Sequence, residues 1–220
     1  MSTWTVVVAA GSGTRFGGDK QLVDLSGMTV LARSVVSAAT VSDGVVVVVS
    51  AGRRREVSGV LSGLDQVEAI VDGGATRSES VRCGLAAVPD DAGVVLVHDG
   101  ARPLATPELF RRVVDAVLAG ADAVVPGVPV ADSLRTADGM VVARDGVIAV
   151  QTPQGFSAGS LRAAHADGGE ASDDATLVEA SGGTVVVVEG EPANLKITRP
   201  GDLDLARLEL ERIVAGSSNA

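Results

Sequence analysis

The chain has no tyrosine, one tryptophan and three phenylalanines in 220 residues, which excludes a core built on stacked aromatic rings. A single cysteine, Cys83, excludes an internal disulfide and fits a reducing compartment. No apolar run approaches the ~20 residues that a membrane span requires. No basic segment precedes the first apolar run, so no secretory leader is expected. The expectation is a cytoplasmic protein without membrane contact. Cations are scarce as well: 18 Lys and Arg face 28 Asp and Glu, for a net charge of -10. That balance excludes a general affinity for nucleic acid, so any anionic ligand must meet a local cationic pocket. Scarcest of all is lysine. Of the 18 basic residues only Lys20 and Lys196 are lysines. A compact ammonium fits among several phosphate oxygens where a planar guanidinium does not, which makes both lysines site candidates.

What is present is small and branched. Apolar residues make up 46% of the chain, mostly Val and Ala. Runs such as 3–9 (TWTVVVA), 45–49 (VVVVV), 67–71, 94–98 (VVLVH) and 122–126 read as strands. Between them, 30–40, 53–63, 76–88 and 107–119 carry helical spacing, and a last helix is expected over 200–214, with Pro200 in its first turn. Strands apolar on both faces and separated by helices imply a mostly parallel sheet with helices on both faces. The fold class is therefore α/β and Rossmann-like, one domain over 1–220. Residues 127–150 break the rhythm: polarity alternates, and Asp138-Gly139 and Asp145-Gly146 are hairpin signals. A protruding β-ribbon arm is expected there, packed on the body or on a second subunit, because an isolated ribbon is marginal. Residues 216–220 read as a frayed tail.

In such sheets, ligands bind beyond the carboxyl ends of strands. The first of these ends runs VVVAAGSGTRFGGDKQL, 6–22. The dinucleotide fingerprint needs a small residue where Phe16 stands, and the triphosphatase loop needs lysine where Asp19 stands. Both templates fail. What remains is a strand-to-loop junction in which Ala9, Ala10, Gly11 and Gly13 let backbone N–H groups approach a base and phosphates. Arg15 and Lys20 then place two positive charges over a triphosphate.

The other strand ends are of the same kind. In VDGGATRSESVRCGL, 71–85, Gly74 and Ala75 precede a helix that Thr76 or Ser78 would cap, with Arg77 and Ser80 in its first turns. In VLVHDGARP, 95–103, Asp99 ends a strand beside the phosphate loop, well placed for Mg²⁺, or else paired structurally with Arg102. His98 is read as a buttress of that turn. Thr152 lies in QTPQGF, 151–156, and Lys196 is expected in a short strand before the last helix. Asp173-Asp174 is read as the cap of the helix DDATLVEA more readily than as a metal pair.

Taken in order, AAGSGTRFGGDKQ, GGATRSESV, VHDGARP, VADSL, the Arg144 segment, QTPQ, DDATLVE and NLKITRPGDL closely resemble the 2-C-methyl-D-erythritol 4-phosphate cytidylyltransferases. The resemblance runs nearly end to end and implies a glycosyltransferase-A-like nucleotidyltransferase fold. It also implies joining CTP to methylerythritol phosphate with release of pyrophosphate, in isoprenoid precursor synthesis. Arg15 and Lys20 would stabilise charge on the α-phosphate and leaving group. The backbone at Ala9, Ala10, Gly11, Gly13, Gly74 and Ala75, with Arg77 and Ser80, would hold CTP. Asp99, Arg102, Thr152 and Lys196 would contact methylerythritol phosphate, with Mg²⁺ or another divalent cation near Asp99. The ribbon would be a homodimerisation arm, bringing Ser133 and Arg144 to the site of the other subunit, where Arg144 and Lys196 position the attacking phosphate. Ser133 stands where these proteins often have threonine, and Arg135 where lysine is common. Ribitol phosphate cytidylyltransferases share the AAGxGTR and DGARP signatures and are the alternative.

Overall fold

The valine runs form strands whose side chains divide between two helical layers. The computed structural model describes residues 1–11 and 13–217. Its first half alternates strictly: β1 (Ser2–Ala9), α1 (Val30–Ala39), β2 (Gly44–Val49), α2 (Arg54–Val60), β3 (Val67–Asp72), α3 (Arg77–Leu85), β4 (Ala92–Asp99) and α4 (Pro107–Leu118). The second half adds β5 (Ala123–Pro129), short strands β6 (Leu134–Arg135), β7 (Val141–Val142) and β8 (Ile148–Val150), then β9 (Gln154–Ser157). It closes with α5 (Ala158–Ala166), α6 (Asp174–Ala180), β10 (Val185–Glu189) and α7 (Pro200–Ser217).

The main sheet runs β3-β2-β1-β4-β9-β5-β10. All neighbours are parallel except β9, which is antiparallel to both β4 and β5. Because successive side chains on a strand point to opposite faces, Val45, Val47 and Val49 pack against Leu31 and Val35 of α1 and Phe110 of α4, while Val46 and Val48 face Val81 and Leu85 of α3. The two-sided burial inferred from composition is therefore literal, and all of β2 is buried. Emptying one such position is costly: Phe110 is fully buried, and Phe110→Ala carries a penalty of about 3–5 kcal/mol. A third cluster, Leu25, Val30, Leu104, Ile197 and Leu203, joins α7 to the region after β1, and Phe16 packs on it. The ring that rules out a dinucleotide loop thus tethers the glycine-rich segment to the body.

Several boundaries follow from capping. Thr76 accepts from Glu79 N–H while the Glu79 carboxylate reaches back to Thr76 N–H, a capping box that starts α3 one residue after the expected position. Asp173 caps α6, accepting from Thr176 N–H at 2.9 Å. Sequence reading assigned nothing to β9, α5 or β10. The four residues of β9 include a glycine and carry no strand period, and the strand exists through its pairing with neighbours on both sides. Lys196, expected in a strand, lies in irregular backbone. The final helix continues through Ser217, past the start of the expected frayed tail 216–220, whose last three residues lie outside the described residues.

Over 127–150 the chain is an interrupted ribbon. β5 extends into it and pairs antiparallel with β8, Gly127 opposite Val150 and Pro129 opposite Ile148. Beyond a break, Leu134 and Arg135 pair with Val142 and Val141. Gly139 and Gly146, at φ +93° and +80°, occupy the left-handed conformation that made Asp-Gly a turn signal.

Candidate active site

Successive strands are laid to one side of β1 as far as β3, and the chain then crosses to place β4 on the other side. This reversal leaves a crevice between the carboxyl ends of β1 and β4, where Val8 and Asp99 are register partners. A cleft of about 420 Å³ opens there. Ala10, Gly11, Gly13, Arg15 and Lys20 form one wall, Gly74, Ala75, Arg77 and Ser80 a second, and Asp99 and Lys196 the third.

The first wall is a folded-back loop. Phe16 N–H and Gly17 N–H both donate to the Gly13 carbonyl, at 2.9 and 3.1 Å. Gly13 sits at φ +63°, and a Cβ there would collide with the Gly18 carbonyl, so only glycine closes this loop. Asp19 caps the helical turn Lys20–Leu22 and forms an ion pair with Arg53, which fixes where Lys20 begins. Lys20 Nζ donates to the Ile197 carbonyl at 2.7 Å, tying the loop to the segment that carries Lys196. Burial, followed by the nearby Lys196 and Arg15 charges, pushes the Lys20 ammonium below its ordinary value, although Asp99 opposes this.

The second wall is packed tightly enough to demand its glycines. A Cβ on Gly73 would lie 2.6 Å from Ala10 Cβ, and one on Gly74 would strike Glu79. Ser80 Oγ accepts from Gly74 N–H at 3.2 Å and donates to the Thr76 carbonyl at 2.8 Å, so this hydroxyl shapes the loop.

The third wall concentrates charge. Lys196 Nζ lies 2.8 Å and Arg102 Nε 3.5 Å from the same oxygen, Asp99 Oδ2. Burial favours the protonated acid, but Lys196, Arg77 and Arg102 together outweigh it and hold the Asp99 carboxyl far below the usual carboxylate range. Four cationic side chains (Arg15, Lys20, Arg77 and Lys196) thus line the cleft against the Asp99 carboxylate, a local inversion of the chain's acidic balance.

Below this wall lies a polar support. Thr152 Oγ1 accepts from Asp99 N–H at 3.0 Å and stands 3.1 Å from His98 Nδ1. Its hydroxyl proton then goes to Nδ1, which leaves the Nε2 proton to donate to the Arg102 carbonyl at 3.3 Å. His98 therefore buttresses the turn as expected. Burial pushes its pKa down to about 4, so it is neutral near pH 7. The fully buried Asn194 donates to the Thr152 carbonyl at 2.9 Å, and its own backbone carbonyl accepts from Arg102 Nη1 at 2.8 Å.

Of the residues singled out from sequence, those on the three walls are brought together. Ala9 is 6% exposed and belongs to the core, under the cleft floor. Arg102 lies behind Asp99, and Thr152 is buried beneath it rather than on the wall. Ser133 and Arg144 are exposed on the ribbon, where Arg144 donates to the Ala131 carbonyl; neither reaches this cleft in its own chain. Sequence reading missed Gln21 and Thr198 on the walls, although Thr198 stands two residues beyond a singled-out lysine.

Known proteins resemble this chain in sequence and fold. The family model described as IspD, 2-C-methyl-D-erythritol 4-phosphate cytidylyltransferase, matches residues 3–212. A 2-C-methyl-D-erythritol 4-phosphate cytidylyltransferase from Nocardia farcinica is 45% identical, covering 97% of this chain and 96% of the relative. A bifunctional enzyme IspD/IspF from Nitratidesulfovibrio vulgaris is 42% identical over 92% of this chain, and the match spans only 57% of that longer relative. The crystal structure of 2-C-methyl-D-erythritol 4-phosphate cytidylyltransferase from Thermus thermophilus superposes with a TM-score of 0.80 at 38% identity, covering 94% of this chain and 98% of that one. Family model, near end-to-end identity and superposable fold agree, and the chain belongs to the IspD family.

Proposed function

We propose that this chain transfers the cytidylyl group of CTP to 2-C-methyl-D-erythritol 4-phosphate, releasing pyrophosphate in isoprenoid precursor synthesis. The observation that carries the reading is the cationic cleft itself, in which Arg15, Lys20 and Lys196 converge beside Asp99 in an otherwise acidic protein. Family membership supplies the substrate class.

The chemistry suits these residues. An oxygen of the methylerythritol phosphate attacks the α-phosphorus of CTP, a new P–O bond forms, and the bond to the β-phosphate breaks with its electron pair leaving on pyrophosphate. The attacking oxygen is already anionic, so no general base is needed. The work lies in bringing two anions together and neutralising charge. Arg15 and Lys20 stabilise charge developing on the α-phosphate and leaving group. Lys196 holds the second phosphate, and Asp99 holds Lys196.

A divalent cation fits this donor set in a limited way. Among the described residues no cluster of three or more His, Cys, Asp or Glu forms a protein cage. Mg²⁺ is commonly held by one or two carboxylates together with substrate phosphates, and Asp99 offers such a carboxylate. When bound, the ion would offset charge on the triphosphate.

The protein acts as a cytoplasmic homodimer joined through the ribbon. Supporting this are Met140 and Val141, 66% and 72% exposed on the ribbon, and Arg144, which lies outside the cleft of its own chain. In the dimer, Ser133 and Arg144 enter the neighbouring cleft, and Arg144 joins Lys196 in positioning the attacking phosphate. No helix among the described residues is long and apolar enough to cross a membrane.

The test is pyrophosphate release in the presence of CTP, Mg²⁺ and methylerythritol phosphate. Release that requires both substrates is the expected result. Turnover of ribitol phosphate alone, or of neither acceptor, would overturn the substrate assignment.

A further inference from the structure

Asp174 is completely buried, and each of its carboxylate oxygens has its own partner. Oδ2 accepts from Arg77 Nη1 at 2.7 Å, and Oδ1 lies 3.0 Å from His165 Nε2. A carboxylate oxygen accepts here, so His165 Nε2 is the donor to Oδ1, and among the described residues His165 Nδ1 has no hydrogen-bond partner. Arg77 is the outer member of this chain. Its side chain is 24% exposed and lines the cleft at the start of α3, beside Gly74 and Ala75.

Asp174 belongs to α6 and His165 to α5, neither of which lines the cleft, and other bonds join α3 to the segment between them. Ala171 N–H donates to Ser78 Oγ at 3.3 Å, and Arg82 reaches the Gly169 carbonyl and Glu170 at 2.9 and 2.8 Å. The connection between α5 and α6 therefore sets the second wall from outside. Holding three helices together does not require a buried charge, because apolar side chains of similar volume do that as well or better. A buried carboxylate adds direction: it fixes one face of the guanidinium and leaves the remaining N–H groups aimed elsewhere.

We propose that Asp174 is a positioning residue for nucleotide binding, which acts by orienting the Arg77 guanidinium into the cleft while His165 fixes the plane of the Asp174 carboxylate. The inference rests on the cytidylyltransferase reading and names a determinant of affinity that lies outside the cleft.

The experiment is a double-mutant cycle read by calorimetric CTP binding and by steady-state kinetics. Asp174→Asn keeps the shape and removes the charge. It is expected to raise Kd and KM for CTP by about tenfold, the scale of one lost charge-assisted bond, with kcat and the KM for methylerythritol phosphate changed by less than about twofold. On an Arg77→Ala background the same substitution is expected to add nothing. An unchanged CTP Kd, or an equal effect on both backgrounds, would overturn the proposal. Should Asp174→Asn fail to fold by circular dichroism, His165→Leu and His165→Gln replace it. The leucine variant is expected to weaken CTP binding about threefold and the glutamine, which retains an N–H donor, to restore it; equal Kd values in both variants and the wild type would overturn the proposal. Wild-type protein that binds CTP but fails to turn over methylerythritol phosphate defeats the functional reading and leaves the cycle interpretable on CTP binding. Wild-type protein that binds no CTP overturns both.

Discussion

Lys196 Nζ and Asp99 Oδ2 are 2.8 Å apart, in a contact that Arg102 approaches from behind at 3.5 Å. A half-exposed ammonium with one carboxylate neighbour keeps N–H groups free for an incoming phosphate. The pair joins the end of β4 to a segment nearly a hundred residues later in the chain, so an acceptor held by Lys196 is held relative to the sheet.

This geometry makes charge alone insufficient at position 196. Lys196→Arg preserves the cation but adds a broad planar head beside Arg102. Its kcat/KM for methylerythritol phosphate is expected to fall roughly tenfold or more, with CTP affinity nearly unaltered. Steady-state kinetics varying each substrate in turn decides the matter, and unchanged values would defeat the argument for a compact ammonium.

Lys20→Ala is expected to lower turnover by roughly 10²–10³-fold, the scale of losing one preorganised charge-stabilising group. Its thermal unfolding is expected to match the wild type, because among the described residues the Lys20 side chain's one hydrogen bond is to the Ile197 carbonyl. The depressed pKa of Lys20 adds a second readout. In alkaline solution part of the free protein holds Lys20 neutral, and triphosphate binding favours the ammonium. CTP binding is then accompanied by proton uptake, detectable by calorimetry in buffers of different ionisation enthalpy and absent in Lys20→Met.

His98 predicts an acid dependence of stability. Its native pKa is pushed from 6.5 to about 4, below that of the unfolded chain, so the unfolded state binds the extra proton first. The stability it contributes is complete above pH 6.5 and is lost as pH falls from there toward 4. Between about pH 7 and about pH 4.5 the loss amounts to about 2.5 kcal/mol. Urea unfolding at both values is expected to show this loss in the wild type and a smaller one in His98→Gln. Equal losses would mean that His98 is not held neutral.

The ribbon predicts complementation. If Arg144 serves the other subunit's cleft, mixing inactive Arg144→Ala and Lys20→Ala proteins creates heterodimers with one intact site. Up to about a quarter of wild-type activity is expected in an equimolar mixture, from statistical exchange and one intact site per heterodimer. No recovery after subunit exchange verified by mass would place both residues in one subunit's site.

Much of the sheet is legible in sequence because its signal is local. Valine runs buried on both faces leave no polar side, and Thr76 with Glu79 spells a capping box within four residues. The glycine loop is legible too, since Gly13 occupies a conformation that suits glycine. β9 is different. Gln154–Ser157 has no strand period, and it is a strand because Val94–Val97 on one side and Ala123–Val124 on the other supply its hydrogen bonds. Thr152 reads as a ligand group in sequence, yet it sits under Asp99, where its hydroxyl links a backbone N–H to His98.

Asp174 marks the division most clearly. From its neighbours it belongs to a helix start, and it does lie in the first turn of α6. Its burial and its bond to Arg77, 97 residues earlier, are invisible locally. The α/β class, the strand ends worth searching, and the two lysines that stand apart from sixteen arginines can all be read without a structure. That Lys20 meets Ile197 across 177 residues, and that Arg77 bonds to the buried Asp174, emerges only once the chain is folded. Backbone propensity and side-chain period act over a few residues, whereas ion pairing and burial depend on which distant segments closure of the fold brings into contact.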